Sequence, residues 1–256
     1  MNLFSLMGLV STIALGIPVI ILLISRLAWY KSFAFLLIYY ILILSYNLIV
    51  LNYVSANKEF IFYWGTASNL LDAPLILLFM TYFSQTALFR KRLISFVFLF
   101  IIYEIVVLAV WGFTIKATTI ILAPGLLIIV LLSVIFFVHQ VKIAVVHQKA
   151  IGKAIMIASL LSAYAGYAFV YAVYYLIETP YKNDAQLIFY LITIVSSIPM
   201  AIGIFFDKKR VKHLAELKTT REELKAIYGE KEAAPSAASA SIDSIVFKLD
   251  KNKQWS

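Results

Sequence analysis

Apolar residues gather into seven long blocks separated by short polar interruptions, and this spacing predicts seven membrane-spanning helices. The blocks run Leu3–Ile24, Ser32–Val54, Phe60–Ser84, Leu93–Phe113, Thr118–Val141, Ile155–Ile177 and Gln186–Phe206. Each reaches about 20 mostly apolar residues, enough to cross a bilayer core. The mixed segment Lys142–Ala154 is expected to extend the fifth or sixth helix. Met1 to Ser5 holds no Lys or Arg and the apolar run continues to Ile24, so a retained first span is expected, not a cleaved leader.

Composition removes the alternative of a large soluble core. The chain is 63% hydrophobic and 14% charged, whereas soluble domains carry about 25% charged residues. There is no cysteine, which excludes disulfides, thiolate metal sites and a thiol nucleophile. The net charge of +9 hints at nucleic acid until it is mapped onto the spans. All but three of the 22 Lys and Arg residues fall on one side of the predicted membrane; the exceptions are Lys58, Lys116 and Lys182. Basic residues stay in the cytoplasm, so the N-terminus is predicted outside and the C-terminus inside. That arrangement needs an odd number of spans. Trp29 and Tyr30 at the inner boundary, and Tyr53, Tyr63, Trp64 and Trp111 near the outer one, suit the headgroup level. The outer loops are short, so recognition is expected within the bundle or at its mouth, and no nucleic-acid partner is expected.

Residues 207–229 read as a charged helix leaving the seventh span. Leu214, Leu217, Leu224 and Tyr228 follow a three-four spacing that Arg221 interrupts, a pattern compatible with a surface helix or with a homodimer seam. Lys208, Lys209, Arg210 and Lys212 lie just cytoplasmic of a span and are expected to meet anionic lipid headgroups. Residues 230–256 read as a mostly disordered tail rich in Ala and Ser, with a short alternating segment at Ile242–Leu249. The expected organisation is therefore a transmembrane domain over 1–206, a juxtamembrane helix over 207–229 and a tail over 230–256.

Buried polar residues carry the functional signal. Asp72 sits near the middle of the third span and Glu104 near the middle of the fourth. Hydrocarbon penalises such a charge by at least about 2.5–3.5 kcal/mol, so it normally has a partner and a task. Asn69 lies one turn from Asp72 on the same face, and Asn47 lies outward of centre in the second span. In the sixth span Tyr164, Tyr167, Tyr171 and Tyr174 (or Tyr175) share one helical face. We therefore expect spans two, three, six and seven to surround an outer-half cavity for ligand binding or proton coupling. Asn47, Asn69, Asp72, Tyr164, Tyr167 and Tyr171 would line it, with Glu104 joining it or pairing with Asp72. Pro74 and Pro199, within the third and seventh spans, are expected to kink their helices.

Known chemistries find little purchase. No span holds a central lysine for a retinal Schiff base. His139, His147 and His213 form no HExxH motif and no cluster, and no P-loop or Gly-rich nucleotide motif occurs. No enzyme, metal or cofactor is expected. The proline depths do not repeat between halves, which argues against a duplicated transporter fold.

From Leu3 to about Gly229 the chain resembles the seven-helix sensor heads that bacteria attach to signalling modules: an outside N-terminus, short loops and a charged helix after the last span. The resemblance implies a multi-pass receptor of the cytoplasmic (inner) membrane that takes part in signal transduction. No kinase, cyclase or DNA-binding pattern follows Gly229 here, so it also implies a cytoplasmic signalling partner reached through 207–229. Three readings stay open: a receptor for a small or lipidic ligand, a proton-coupled small-solute transporter using Asp72 and Glu104, and a non-catalytic subunit or scaffold of a membrane complex.

Overall fold

A backbone amide or carbonyl in hydrocarbon has no water to bond, so each apolar block must satisfy its polar groups within itself and folds as a helix. The computed structural model of the chain describes residues 3–84, 86–147, 150–173 and 182–228. Seven helices in it are long and apolar enough to cross a membrane: this is a multi-pass membrane protein. They are α1 (Leu3–Ile24), α2 (Phe33–Val50), α3 (Lys58–Met80), α4 (Ala87–Trp111), α5 (Ile115–His147), α6 (Ile151–Tyr171) and α7 (Lys182–Tyr228). No strand occurs among the described residues. Short 3-10 turns at Leu27–Trp29 and Thr81–Phe83 close α1 and α3.

Local chemistry sets the helix ends. Asn57 caps α3 by accepting the Phe60 amide at 2.7 Å, and Thr86 caps α4 through the Phe89 amide at 3.2 Å; each satisfies one of the orphan first-turn donors. Gly112 ends α4 at φ 64° and ψ −170°, a region that a side chain would disfavour. The helices overrun the predicted spans where charged residues tolerate headgroups. Thus α4 begins at Ala87 and includes Arg90 to Arg92, and α5 absorbs the first part of the mixed segment as far as His147. Tyr174, Tyr175 and the predicted tail 230–256 lie outside the described residues.

Two compact units divide the chain at Arg210/Val211. In the first unit α3 is the hub. It packs on α2, α4 and α5, and 61% of its span is buried against 28% for α4. An edge-on ring pair, Phe4 and Tyr190 at 5.5 Å, joins α1 to α7 and closes the bundle. Small residues let neighbours approach, as expected where packing rather than hydrophobicity drives association. At the α6–α7 crossing the backbones touch: a Cβ on Gly152 would meet the Gly203 carbonyl at 2.7 Å, and one on Gly203 would meet the Gly152 carbonyl at 2.9 Å. In the second unit Lys212 and Glu216 form an exposed i,i+4 pair at 3.9 Å.

One end of the bundle is basic and tied by polar contacts. Ser32 bonds Thr81 at 2.7 Å, and Lys153 donates to the Tyr82 carbonyl at 3.2 Å while its ammonium lies over the Tyr82 ring. The Tyr82 hydroxyl in turn donates to the buried carboxylate of Asp207.

Candidate functional site

Three side-chain rows converge on a cavity of about 340 Å³ in the half of the bundle opposite the basic end. From α2 come Tyr39, Ile43 and Tyr46, spaced by four and three and hence on one face. From α3 come Gly65, Ser68, Asn69 and Asp72 on a similar stripe. From α6 come Tyr167, Val170 and Tyr171. Leu122 and Leu126 of α5 and Phe189 of α7 complete an apolar wall, and Gln186 sits near the start of α7. A Cβ on Gly65 would stand 2.9 Å from the Tyr46 ring, so a side chain there would push the ring aside.

Asp72 borders the deep end of this cavity. Its Oδ1 accepts a hydrogen bond from the buried Tyr164 hydroxyl at 2.6 Å. Tyr164 packs edge-on against Tyr167, with ring centroids 5.7 Å apart, and Tyr167 stacks on Phe189 at 5.2 Å. Ser68 Oγ is buried without a hydrogen-bond partner, and the Asn69 side chain has none among the described residues. Lys, Arg and His are absent from the described residues that line the cavity. Its described wall is thus apolar and aromatic, with a few convergent polar groups and the acid Asp72, which is the composition of a small-molecule pocket.

The predicted residues divide. Asn69, Asp72, Tyr167 and Tyr171 line the cavity. Tyr164 does not border it but anchors its acid. The tyrosine face of α6 fans out across three neighbours: Tyr164 reaches Asp72 on α3, Tyr167 meets Thr193 on α7 at 3.3 Å, and Tyr171 donates to the Thr119 carbonyl on α5 at 3.0 Å.

Two further residues lie outside the cavity lining. Asn47 does not line the cavity; its Nδ2 donates to Ser11 Oγ on α1 at 2.9 Å. It follows Tyr46 by about 100° of helical rotation, which turns it away from the cavity that Tyr46 faces. Glu104 neither lines the cavity nor bonds Asp72. It belongs to the buried stripe of α4, with Leu93, Val97, Phe100 and Val107, and its Oε1 is buried without a hydrogen-bond partner. Val107 of that stripe packs with Ala117 and Ile121 of α5 in an apolar cluster.

The prolines lie inside continuous helices. Pro74 is buried two residues from Asp72, and Ser159 donates to the Ser196 carbonyl at 2.6 Å in the turn before Pro199. Of the predicted headgroup cluster, Arg210 lies 3.8 Å from Asp207 and Lys212 pairs with Glu216.

The α2 row was missed by sequence reasoning, although Tyr39, Ile43 and Tyr46 carry a legible helical spacing. The α5 leucines carry no signal that separates them from lipid-facing leucines. Among the described residues no group of His, Asp and Glu could hold a metal ion. Compared with protein-family models, with curated proteins and with solved structures, the chain matches none.

Proposed function

We propose that this protein is a membrane receptor whose ligand occupies the cavity bounded by α2, α3, α5, α6 and α7, with its N-terminus outside and its C-terminus in the cytoplasm. The observation that carries the reading is Asp72, held by Tyr164 at the floor of a 340 Å³ aromatic cavity. A carboxyl group at that depth is costly unless it has a role, and a volume in this range accommodates a small molecule. The basic end then faces the cytoplasm, which matches the charge bias of the loops.

Relay has a physical route. α3 borders the cavity through Asp72 and bonds Asp207 of α7 through Tyr82. A ligand that displaces α3 by a fraction of an ångström therefore acts on the segment from which the 207–229 helix departs. A transporter coupled through both acids is less well supported, because Glu104 does not line the cavity and makes no hydrogen bond to Asp72.

The chain lacks cysteine, so introduced cysteines report cleanly. Spin labels at Lys91→Cys and Glu223→Cys, in the full chain in nanodiscs, should change their distance distribution when ligand binds. An impermeant maleimide should label Lys116→Cys but not Lys91→Cys in intact cells. An unchanged distance with ligand bound, or the reverse labelling, overturns the proposal.

A further inference from the structure

Resting on the reading of the cavity as a ligand site, we propose that its ligand is a small organic cation: a primary or substituted ammonium carried on an apolar, ring-sized body. Among its described lining residues the wall has one acid and no base. An isolated carboxylate in low dielectric is unfavourable, and a counter-charge brought by the ligand relieves it. Tyr164 already donates to Asp72 Oδ1, so the carboxyl is oriented, while its bordering of the cavity leaves it available to a second donor. Tyr39, Tyr46, Tyr167 and Tyr171 surround the same space, and aromatic rings attract ammonium groups at close range. Ser68 Oγ, buried and unpartnered, and the Asn69 side chain supply further polar contacts. Leu122, Leu126 and Phe189 bound the space left for the ligand body. An anion finds no positive group among the described lining residues, and a neutral ligand brings no counter-charge to the carboxylate.

The test compares three molecules of one shape, 2-phenylethylamine, 2-phenylethanol and phenylacetate, titrated calorimetrically into the full chain in nanodiscs, with n-hexylamine and tetramethylammonium as alternative bodies. The amines are expected to bind at least about tenfold tighter than the alcohol. Asp72→Asn should erase that preference, Asp72→Glu should keep it, and Leu122→Trp should remove binding of all five by filling the space. Equal affinity for amine and alcohol, preference for the acid, amine binding that survives Asp72→Asn, or no binding of any amine at millimolar concentration overturns the proposal. The comparison of amine with alcohol in the unaltered chain decides even where a variant fails to fold. An amine that binds with this preference but leaves the Lys91–Glu223 label distance unchanged supports the ligand class and overturns the receptor reading.

Discussion

The Tyr164 hydroxyl and the Asp72 carboxyl meet at 2.6 Å across the α3–α6 interface, 92 positions apart in the chain. The contact does two things. It joins the hub helix to the helix that carries the tyrosine row, and it orients the acid at the cavity floor. In water a hydrogen bond to a charged acceptor contributes about 1.5–3 kcal/mol. In a bilayer the unfolded state also finds partners, and measured values average about 0.6 kcal/mol with a maximum near 1.7. The bilayer figure governs here.

Tyr164→Phe should therefore destabilise the bundle by about 0.6–1.7 kcal/mol in a reversible unfolding assay in mixed micelles. Combined with Asp72→Asn in a double-mutant cycle, most of that loss should vanish. Strict additivity of the two changes would show that the contact contributes nothing.

Pro124 offers a second cycle. Proline lacks an amide hydrogen, so it cannot serve the carbonyl of Ile120 four residues earlier. Tyr103 of α4 donates its hydroxyl to that same carbonyl at 3.0 Å, as expected where a neighbouring helix satisfies a group that proline frees. Tyr103→Phe should cost about 1 kcal/mol in the native chain and clearly less alongside Pro124→Ala, where the new amide takes over the carbonyl. Equal costs in both backgrounds would refute the compensation.

Two glycines should behave oppositely. A Cβ on Gly203 meets the Met156 amide and the Gly152 carbonyl at 2.9 Å, both immobile backbone. Gly203→Ala should lower stability by about 1–3 kcal/mol, as overpacking does. At Gly16 nothing lies within 4 Å of the added carbon, so Gly16→Ala should be neutral or stabilising by up to about 1 kcal/mol. Thermal melting of the two variants side by side makes the comparison.

Glu104 holds a buried, unsatisfied oxygen in an otherwise apolar stripe. Glu104→Leu should raise stability by about 1–3 kcal/mol, the cost of such a group, and leave amine binding unchanged because the residue does not border the cavity. Lost binding with an intact fold would return Glu104 to the site.

How much of this was legible beforehand varies with the residue. Asp72 stood out because an acid in hydrocarbon is conspicuous in any window, and Asn69 followed from helical spacing alone. Glu104 was equally conspicuous yet does not line the cavity, since depth along a helix says nothing of which neighbour the helix turns it toward. Asn47 shows the same limit: one residue from Tyr46, it serves a different interface.

Residue chemistry and periodicity by themselves determined the seven helices, their approximate ends and the asymmetry of charge, because a bilayer imposes length and forbids unpaired backbone. Which helix became the hub, which faces enclose the cavity, and which of two buried acids borders it were decided only by packing. A lipid-facing leucine and a cavity-facing leucine are chemically identical in hydrocarbon. Only close contacts, such as Gly152 against Gly203 or Gly65 beneath Tyr46, select the rotation that tells them apart.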